Sequence, residues 1–133
     1  MAHELLAYQP IDATIVVTNG AAGVGAGTDT VAIQFDGANG EDATERVAVP
    51  WYLSTDAEGD DLATTSTDVT SLAIGTDGVL IELSSNVAGF MVSEVDGDVD
   101  LAFVIPTGKT VYLVLIMPSG RMIVSDAITY ATS

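Results

Sequence analysis

Hydrophobic and polar residues alternate along much of this chain, in short runs that end at glycine, proline or Asp-Gly pairs. Between Thr30 and Asp36, for example, Val31, Ile33 and Phe35 alternate with small or polar residues. This period of two is typical of a half-buried β-strand, because successive side chains point to opposite faces of a sheet. We count about eight strands at spacings of roughly ten residues and no helical period, which predicts an all-β sandwich. The predicted strands are Ile11 to Thr18, Thr30 to Asp36, Arg46 to Ser54, Ser71 to Ile74, Val79 to Leu83, Val87 to Val95, Asp98 to Ile105, and the two strands within Thr110 to Tyr130.

The stretch from Thr110 to Tyr130 predicts the best-defined hairpin, with Pro118 and Gly120 forming a tight turn. From Val111 to Met117 every residue is apolar or aromatic, which is typical of a strand covered on both faces. We expect one side of this strand to fill the sandwich. The other side has no obvious cover within so short a chain, so we expect a partner to contact Tyr112, Val114 and Ile116.

Three other predictions concern how strands face the core. Trp51 falls in phase with apolar neighbours and is expected to be buried, since a lone tryptophan on such a stripe is usually packing. Pro50 cannot donate a hydrogen bond to a ladder, so its strand is expected at a sheet edge or at a bulge. Val79, Ile81 and Leu83 are predicted to point inward.

The first nine residues show no alternation and are predicted to form an N-terminal arm, residues 1–9, before a single sandwich domain, residues 10–133. The arm is either a first strand laid on the sandwich or a hook that reaches a neighbour. Its apolar residues Leu5, Leu6 and Tyr8 join Tyr112, Val114 and Ile116 as candidate interface residues.

Charge is strongly unbalanced, because 19 acidic residues face 3 basic ones and give a formal net charge of −16. A nucleic-acid partner is not expected, since binding to phosphates relies on clustered lysine and arginine. An anionic membrane would be repelled in the same way. The acidic surface is either a solvated face, adapted to salty water, or a contact for a basic partner or for cations.

Candidate chemistry is sparse. The closest carboxylate spacing is Glu94, Asp96, Asp98 and Asp100, but it departs from a calcium loop: Leu101 stands where a glycine is needed and Thr107 where a closing glutamate is needed. The ordinary interpretation is a strand with its acids on the wet face. The single histidine, His3, lies in the arm, and there is no cysteine. We therefore predict no catalytic residue, no cofactor, no metal and no enzyme activity.

Several segments carry a family resemblance. The stretch VAIQFDGANGEDATERVAVPWYLSTDAEG is similar to the opening of bacterial immunoglobulin-like modules, and GTDGVLIEL and SEVDGDVDLAFV are similar to their Asp-Gly turns before core strands. Together with the ending YLVLIMPSGRMIVSDAITYA, the stretch from about Val31 to Ala131 resembles small proteins encoded among tailed-bacteriophage structural genes. The resemblance implies an immunoglobulin-like β-sandwich and carries no functional residues over.

What the resemblance implies is a virion protein of the capsid decoration or cement type. Such a protein would be made in the host cytoplasm, bind the major capsid protein on the capsid exterior and form a homo-oligomer there. The alternative is a carbohydrate or host-surface adhesion module on a tail or fibre, using Trp51, Tyr52 and the polar loop from Thr55 to Thr70.

Overall fold

The computed structural model describes residues 12–20, 28–37 and 40–130, and these form strands joined by turns and loops. No helix within these ranges is long and apolar enough to cross a membrane. All the strand pairs that form the two sheets are antiparallel. The strands are β1 (Asp12–Thr18), β2 (Thr28–Asp36), β3 (Ala48–Ser54), β4 (Ser71–Ile74), β5 (Val79–Ser84), β6 (Ala88–Val92), β7 (Asp98–Val104), β8 (Thr110–Ile116), β9 (Met122–Val124) and β10 (Ile128–Thr129).

Two sheets make up the fold. The first has the order β1-β2-β7-β4, and the second has the order β10-β8-β3-β6-β5 with β9 also paired to β8. Alternate residues from both sheets meet in one hydrophobic cluster, in which Phe35 and Phe103 come from the first sheet and Trp51, Met91 and Leu113 from the second. This arrangement confirms the predicted all-β sandwich. Trp51 is 2% exposed, so its prediction as a core residue is also confirmed.

The predicted hairpin is present as β8 and β9. The amide of Gly120 donates to the carbonyl of Met117 at 2.8 Å, and the amide of Met117 donates to Arg121 at 2.9 Å. Gly120 has φ +87°, a conformation that glycine adopts without the steric cost of a side chain. The turn chemistry of the Pro-Ser-Gly sequence therefore fixes where β8 ends.

The prediction for Pro50 is wrong, because β3 is an internal strand that pairs with β6 on one side and β8 on the other. Pro50 pairs in register with Phe90 of β6, while pairing with β8 begins at the next residue, Trp51. The missing N–H thus falls just outside the ladder with β8. A proline is tolerated inside this sheet because one of its two neighbours stops short of it.

The strand order also bears on the immunoglobulin-like expectation. The orders β1-β2-β7-β4 and β10-β8-β3 follow the A-B-E-D and G-F-C orders of an immunoglobulin domain. The hairpin of β5 and β6 lies between β4 and β7 in the chain and has no counterpart in that seven-strand order. The immunoglobulin-like assignment stays a prediction, and the added hairpin gives the second sheet its outer edge at β5.

Candidate binding surface

Four of the nine exposed large hydrophobic side chains among the described residues lie on the added hairpin. Val79, Ile81 and Leu83 of β5 are 49%, 47% and 73% exposed, and Phe90 of β6 is 41% exposed. Ile81 is directly opposite Phe90 in the β5–β6 register, so their side chains share a face. We call these four residues the β5 patch.

Val79, Ile81 and Phe90 of the β5 patch lie on the side of the second sheet that faces away from the core, and Leu83 is exposed at the irregular end of β5. Phe90 is flanked in sequence by Gly89 and Met91, and Met91 is fully buried in the core. Since adjacent residues of a strand point to opposite faces, Phe90 and its partner Ile81 point outward. The prediction that Val79, Ile81 and Leu83 point inward is therefore wrong. Alternation in the sequence identified the shared face of β5, but the sheet places Leu80, not its neighbours, against the core.

β5 also presents an open backbone edge. Ser93 donates its amide to the carbonyl of Val47, and Leu53 donates its amide to Val87, so the odd-numbered residues of β6 direct their backbone groups toward β3. Its even-numbered residues therefore bond to β5, and among these Phe90 pairs with Ile81. The N–H and C=O of Leu80 consequently point away from β6. In the part of the chain that the structure describes, β5 has no strand on that side.

The three candidate residues on β8 lie on the same outer face, but they are not equally accessible. Val114 is 0% exposed, because the loop that follows β3 folds over it. A Cβ built on Gly59 would lie 3.3 Å from Val114 Cγ2 and 3.5 Å from the Tyr52 hydroxyl. The Tyr52 hydroxyl donates a hydrogen bond to the Gly59 carbonyl, which ties the loop down.

The expectation that Val114 lacks a cover within the chain is therefore wrong, since its cover is intramolecular. Tyr112 and Ile116 are half-buried and their contact with a partner stays a prediction. Leu5, Leu6 and Tyr8 lie outside the described residues.

An open groove of about 690 Å³ lies at the end of the sandwich next to the start of β5. It is formed where the β4–β5 turn meets the β6–β7 turn and the segment around Ala43. Five carboxylates line it, so its potential is strongly negative. We call it the acidic groove, and its lining residues are Asp42, Ala43, Thr44, Asp77, Glu94, Val95, Asp96 and Asp98.

Three carboxylates beside the groove come close together. Asp77, Asp98 and Asp100 each place an oxygen within 4.8 Å of the others, and the Thr76 hydroxyl donates to Asp100 Oδ2 at 2.6 Å. Partial burial raises the pKa of Asp98 to about 6, helped by a hydrogen bond with the Asp77 carboxyl and by the charges of Asp100, Asp77 and Asp96. Carboxylate oxygens are the hard ligands that a divalent cation prefers, and a cation bound here would reduce the repulsion among the three carboxylates. A proton held between Asp98 and Asp77 reduces the same repulsion. The expectation of no metal stays a prediction.

The sequence pattern found part of this cluster. Asp98 and Asp100 belong to the predicted run of acids, whereas Glu94 and Asp96 lie in the preceding turn and line the groove. Asp77 was missed, since it lies in the separate turn between β4 and β5, which the pairing of β4 with β7 brings next to Asp100. The Thr76-Asp77-Gly78 sequence signals that turn, but not what it faces.

Each lysine and arginine of the chain already pairs with an acid. Arg46 lies 3.4 Å from Glu94, Lys109 lies 3.7 Å from Asp68, and Arg121 lies 3.4 Å from Asp12. The three residues are all the lysine and arginine in the sequence. In the acidic groove, Asp42, Asp77, Asp96 and Asp98 therefore have no lysine or arginine of this chain left to neutralise them.

The described residues contain neither histidine nor cysteine. Three fully or largely buried serines, Ser54, Ser93 and Ser125, use their hydroxyls on nearby backbone groups. The absence of enzyme activity stays a prediction.

Comparison of the chain with protein-family models, curated proteins and solved structures found no match. The resemblance to phage structural proteins therefore rests on the sequence segments that carry it.

Proposed function

We propose that this protein is a non-enzymatic structural protein of a tailed-phage particle, a decoration or cement protein that binds the major capsid protein on the outside of the head. The observation that carries the proposal is the β5 patch, a group of hydrophobic side chains at the edge of the second sheet that the described residues leave about half exposed. Neighbouring apolar side chains left exposed on one face, as Ile81 and Phe90 are, mark a contact with a partner.

Burial of the β5 patch would supply a useful but limited affinity. Fully burying a large apolar side chain is worth about 1.5–3 kcal/mol, and these four residues are roughly half covered already, so each has about 1 kcal/mol left to gain. Four such terms give about 4 kcal/mol, or roughly a thousandfold in affinity. A capsid presents many equivalent sites, and a homo-oligomer on its surface would multiply this modest contact into stable attachment.

The acidic groove complements this contact by selecting the partner's charge. Its lining residue Asp77 precedes Val79 by two residues in the chain, so a capsid surface that covers the β5 patch also comes near the groove. Its carboxylates favour a partner region that carries lysine or arginine, and they disfavour an acidic one.

The two aromatic residues named for the alternative, a carbohydrate or host-surface adhesion module, are poorly placed for it. Stacking on a sugar needs an exposed aromatic face, and Trp51 is buried in the core. Tyr52 is half-buried, with its hydroxyl bound to the carbonyl of Gly59.

The test is binding of the purified protein to expanded, undecorated phage heads, measured by co-sedimentation. The double variant Ile81→Lys with Phe90→Lys should lose at least about tenfold in affinity, because it places charge in a contact that must be desolvated. Val16→Lys is the matched control, since Val16 is also an outward strand residue and is 55% exposed on β1, in the other sheet. Failure of the wild type to bind heads, or equal binding by the double variant, would refute the proposal.

A further inference from the structure

The open edge of β5 offers backbone hydrogen bonds as well as apolar side chains. The N–H and C=O of Leu80 point away from the sheet, while Val79 and Ile81 on either side expose their side chains outward. An edge strand with unpaired backbone groups is a template for another strand. This edge carries no proline and no lysine, so the only devices against such pairing that it has are the charge of Glu82 and the irregularity that follows it.

The length available for pairing is set by a register shift. β5 pairs regularly with β6 from Val79 to Glu82 and is irregular between Glu82 and Ser84. Irregularities of this kind bend a strand and end its ladder. A short extended segment, rather than a long strand, therefore fits the edge.

Charge decides which segment fits. Glu82 is the one charged residue of β5, and the acidic groove lies at the strand's start. The arginine nearest to the groove, Arg46, is paired with Glu94, and the chain's other basic residues are paired elsewhere. A second copy of this chain would bring a further net charge of −16 to the edge, whereas a segment with lysine or arginine would neutralise it.

We infer that β5 binds an extended polypeptide segment of alternating apolar and basic residues, which adds to the second sheet as a further strand. Its apolar side chains would extend the face formed by Ile81 and Phe90. Its basic side chains would lie beside Glu82 and reach the acidic groove. This is β-strand addition, in which main-chain bonds give affinity and alternate side chains give specificity.

The inference rests on the proposed function for the partner's identity, since the segment would belong to the major capsid protein. The mode of binding, however, can be tested without any capsid.

The probe is a synthetic peptide of alternating lysine and valine, as long as β5 and blocked at both ends. Amide hydrogen exchange of the isotope-labelled protein is followed by NMR with and without this peptide. The Leu80 amide should exchange at least about tenfold more slowly when the peptide is bound, because it gains a main-chain acceptor. The Ile81 amide, which already bonds to β6, is the internal control.

Two control peptides separate strand addition from simple attraction. Glutamate in place of lysine should abolish binding through charge, and proline in place of the central valine should abolish it through the backbone. Protection of Leu80 by the lysine–valine peptide alone supports the inference. Binding by all three peptides, protection away from β5, or protection of Leu80 by self-association without any peptide would overturn it.

The head-binding assay distinguishes the two proposals. Protection of Leu80 by the peptide with no binding to heads refutes the capsid function and leaves strand addition standing. Head binding that depends on Ile81 and Phe90, without protection of Leu80 by the peptide, refutes strand addition and leaves the capsid function standing.

Discussion

Two buried serines, Ser93 and Ser125, bond through their hydroxyls to backbone amides of neighbouring segments. Ser125 Oγ accepts a hydrogen bond from the Leu113 amide at 2.9 Å and donates one to the Asp126 carbonyl at 2.8 Å. Ser93 Oγ does the same with the Val47 amide and the Glu94 carbonyl. In each case a hydroxyl satisfies a backbone N–H that would otherwise be buried without an acceptor.

Replacing Ser125 with alanine should therefore cost more than a surface mutation. Ser125→Ala leaves the buried amide of Leu113 without this acceptor, so the free energy of unfolding should fall by about 1–3 kcal/mol. Urea unfolding followed by circular dichroism measures the change, with Ser84→Ala at an exposed position as the control. Equal stability of the two variants would show that another group takes over the bond.

Asp98 gives a prediction about pH. Its pKa is raised to about 6, above the 3.8 of an unperturbed aspartate, so the folded state binds this proton more tightly than the unfolded chain does. The stability from this proton is fully present below the unfolded pKa and is lost as the pH rises through about 6. Asp98→Asn removes the charge, so the variant should melt at a higher temperature than the wild type at pH 7.5 and lose less stability between pH 4.5 and 7.5.

Thermal melts across that pH range measure the difference, with Asp126→Asn as a control at an exposed position. The comparison is needed because lowering the pH also reduces the net charge of the whole chain. Parallel curves for the wild type and Asp98→Asn would mean that Asp98 is ionised throughout the range.

Val114 lies on the outer face of β8 and is nevertheless fully buried. Val114→Glu should unfold the protein or destabilise it by several kcal/mol, because the charge would be buried under the loop that contains Gly59. Val16→Glu makes the same chemical change at an exposed site and should leave the melting temperature nearly unchanged. A folded Val114→Glu protein with a wild-type melting temperature would show that this loop opens easily.

At the scale of strands, Gly89 is what allows β5 and β6 to approach each other. A Cβ at Gly89 would lie 1.9 Å from the carbonyl oxygen of Ile81, a backbone atom that cannot move without its strand. Gly89→Ala should therefore displace β5 and destabilise the protein by about 3 kcal/mol.

Gly75→Ala is the matched control, because its nearest neighbour would be 3.5 Å away, at an ordinary contact distance. Chemical denaturation and amide exchange of β5 together test the prediction. Similar stability for the two variants would mean that the hairpin adjusts to a side chain at Gly89.

The sequence predicted which segments are strands better than it predicted what each strand faces. Alternation identified the runs that became β2 and β7, because both have one face on the core. It could not tell which face of β5 is buried, since an apolar stripe has the same period whether it meets the core or a partner. For β8, apolar residues on both faces implied an external cover, and the cover came instead from a polar loop whose glycine leaves room over Val114.

The candidate surface was less predictable because its residues come from separate segments that only strand pairing brings together. Phe90 and Ile81 become neighbours only through the β5–β6 register, and Asp77 joins Asp98 only through the packing of two turns. Local sequence carries the turn signals but not the identity of what each turn will face. Tyr112 and Ile116 were correctly placed together on the strand, and their role as contacts stays untested.

At the scale of the whole molecule, self-repulsion should make stability depend on salt. The net charge is −16, and the chain's lysine and arginine are already paired, so the remaining acids have few internal partners. Screening lowers the cost of holding them together, and the Debye length falls to roughly 3 Å at 1 M salt. The melting temperature should therefore rise between low salt and about 1 M sodium chloride.

Scanning calorimetry in sodium chloride tests this, and choline chloride at equal ionic strength is the control for specific sodium binding. A flat or falling curve would mean that the acids are already neutralised by bound cations.

The strand order has a consequence for how the chain folds as it is made. The centre of the first sheet joins β2 to β7, and the centre of the second joins β3 to β8, and in both cases the partners lie far apart in the chain. The central pairs of the two sheets cannot form until β7 and β8 have been synthesised. Until then, the core-facing side chains of β2 and β3 lack the strands that pair with them. Pairing over such long separations is slow, in milliseconds to seconds for folds of this kind. The same acidic residues give unfinished chains a negative charge, which should keep neighbouring chains apart during that interval.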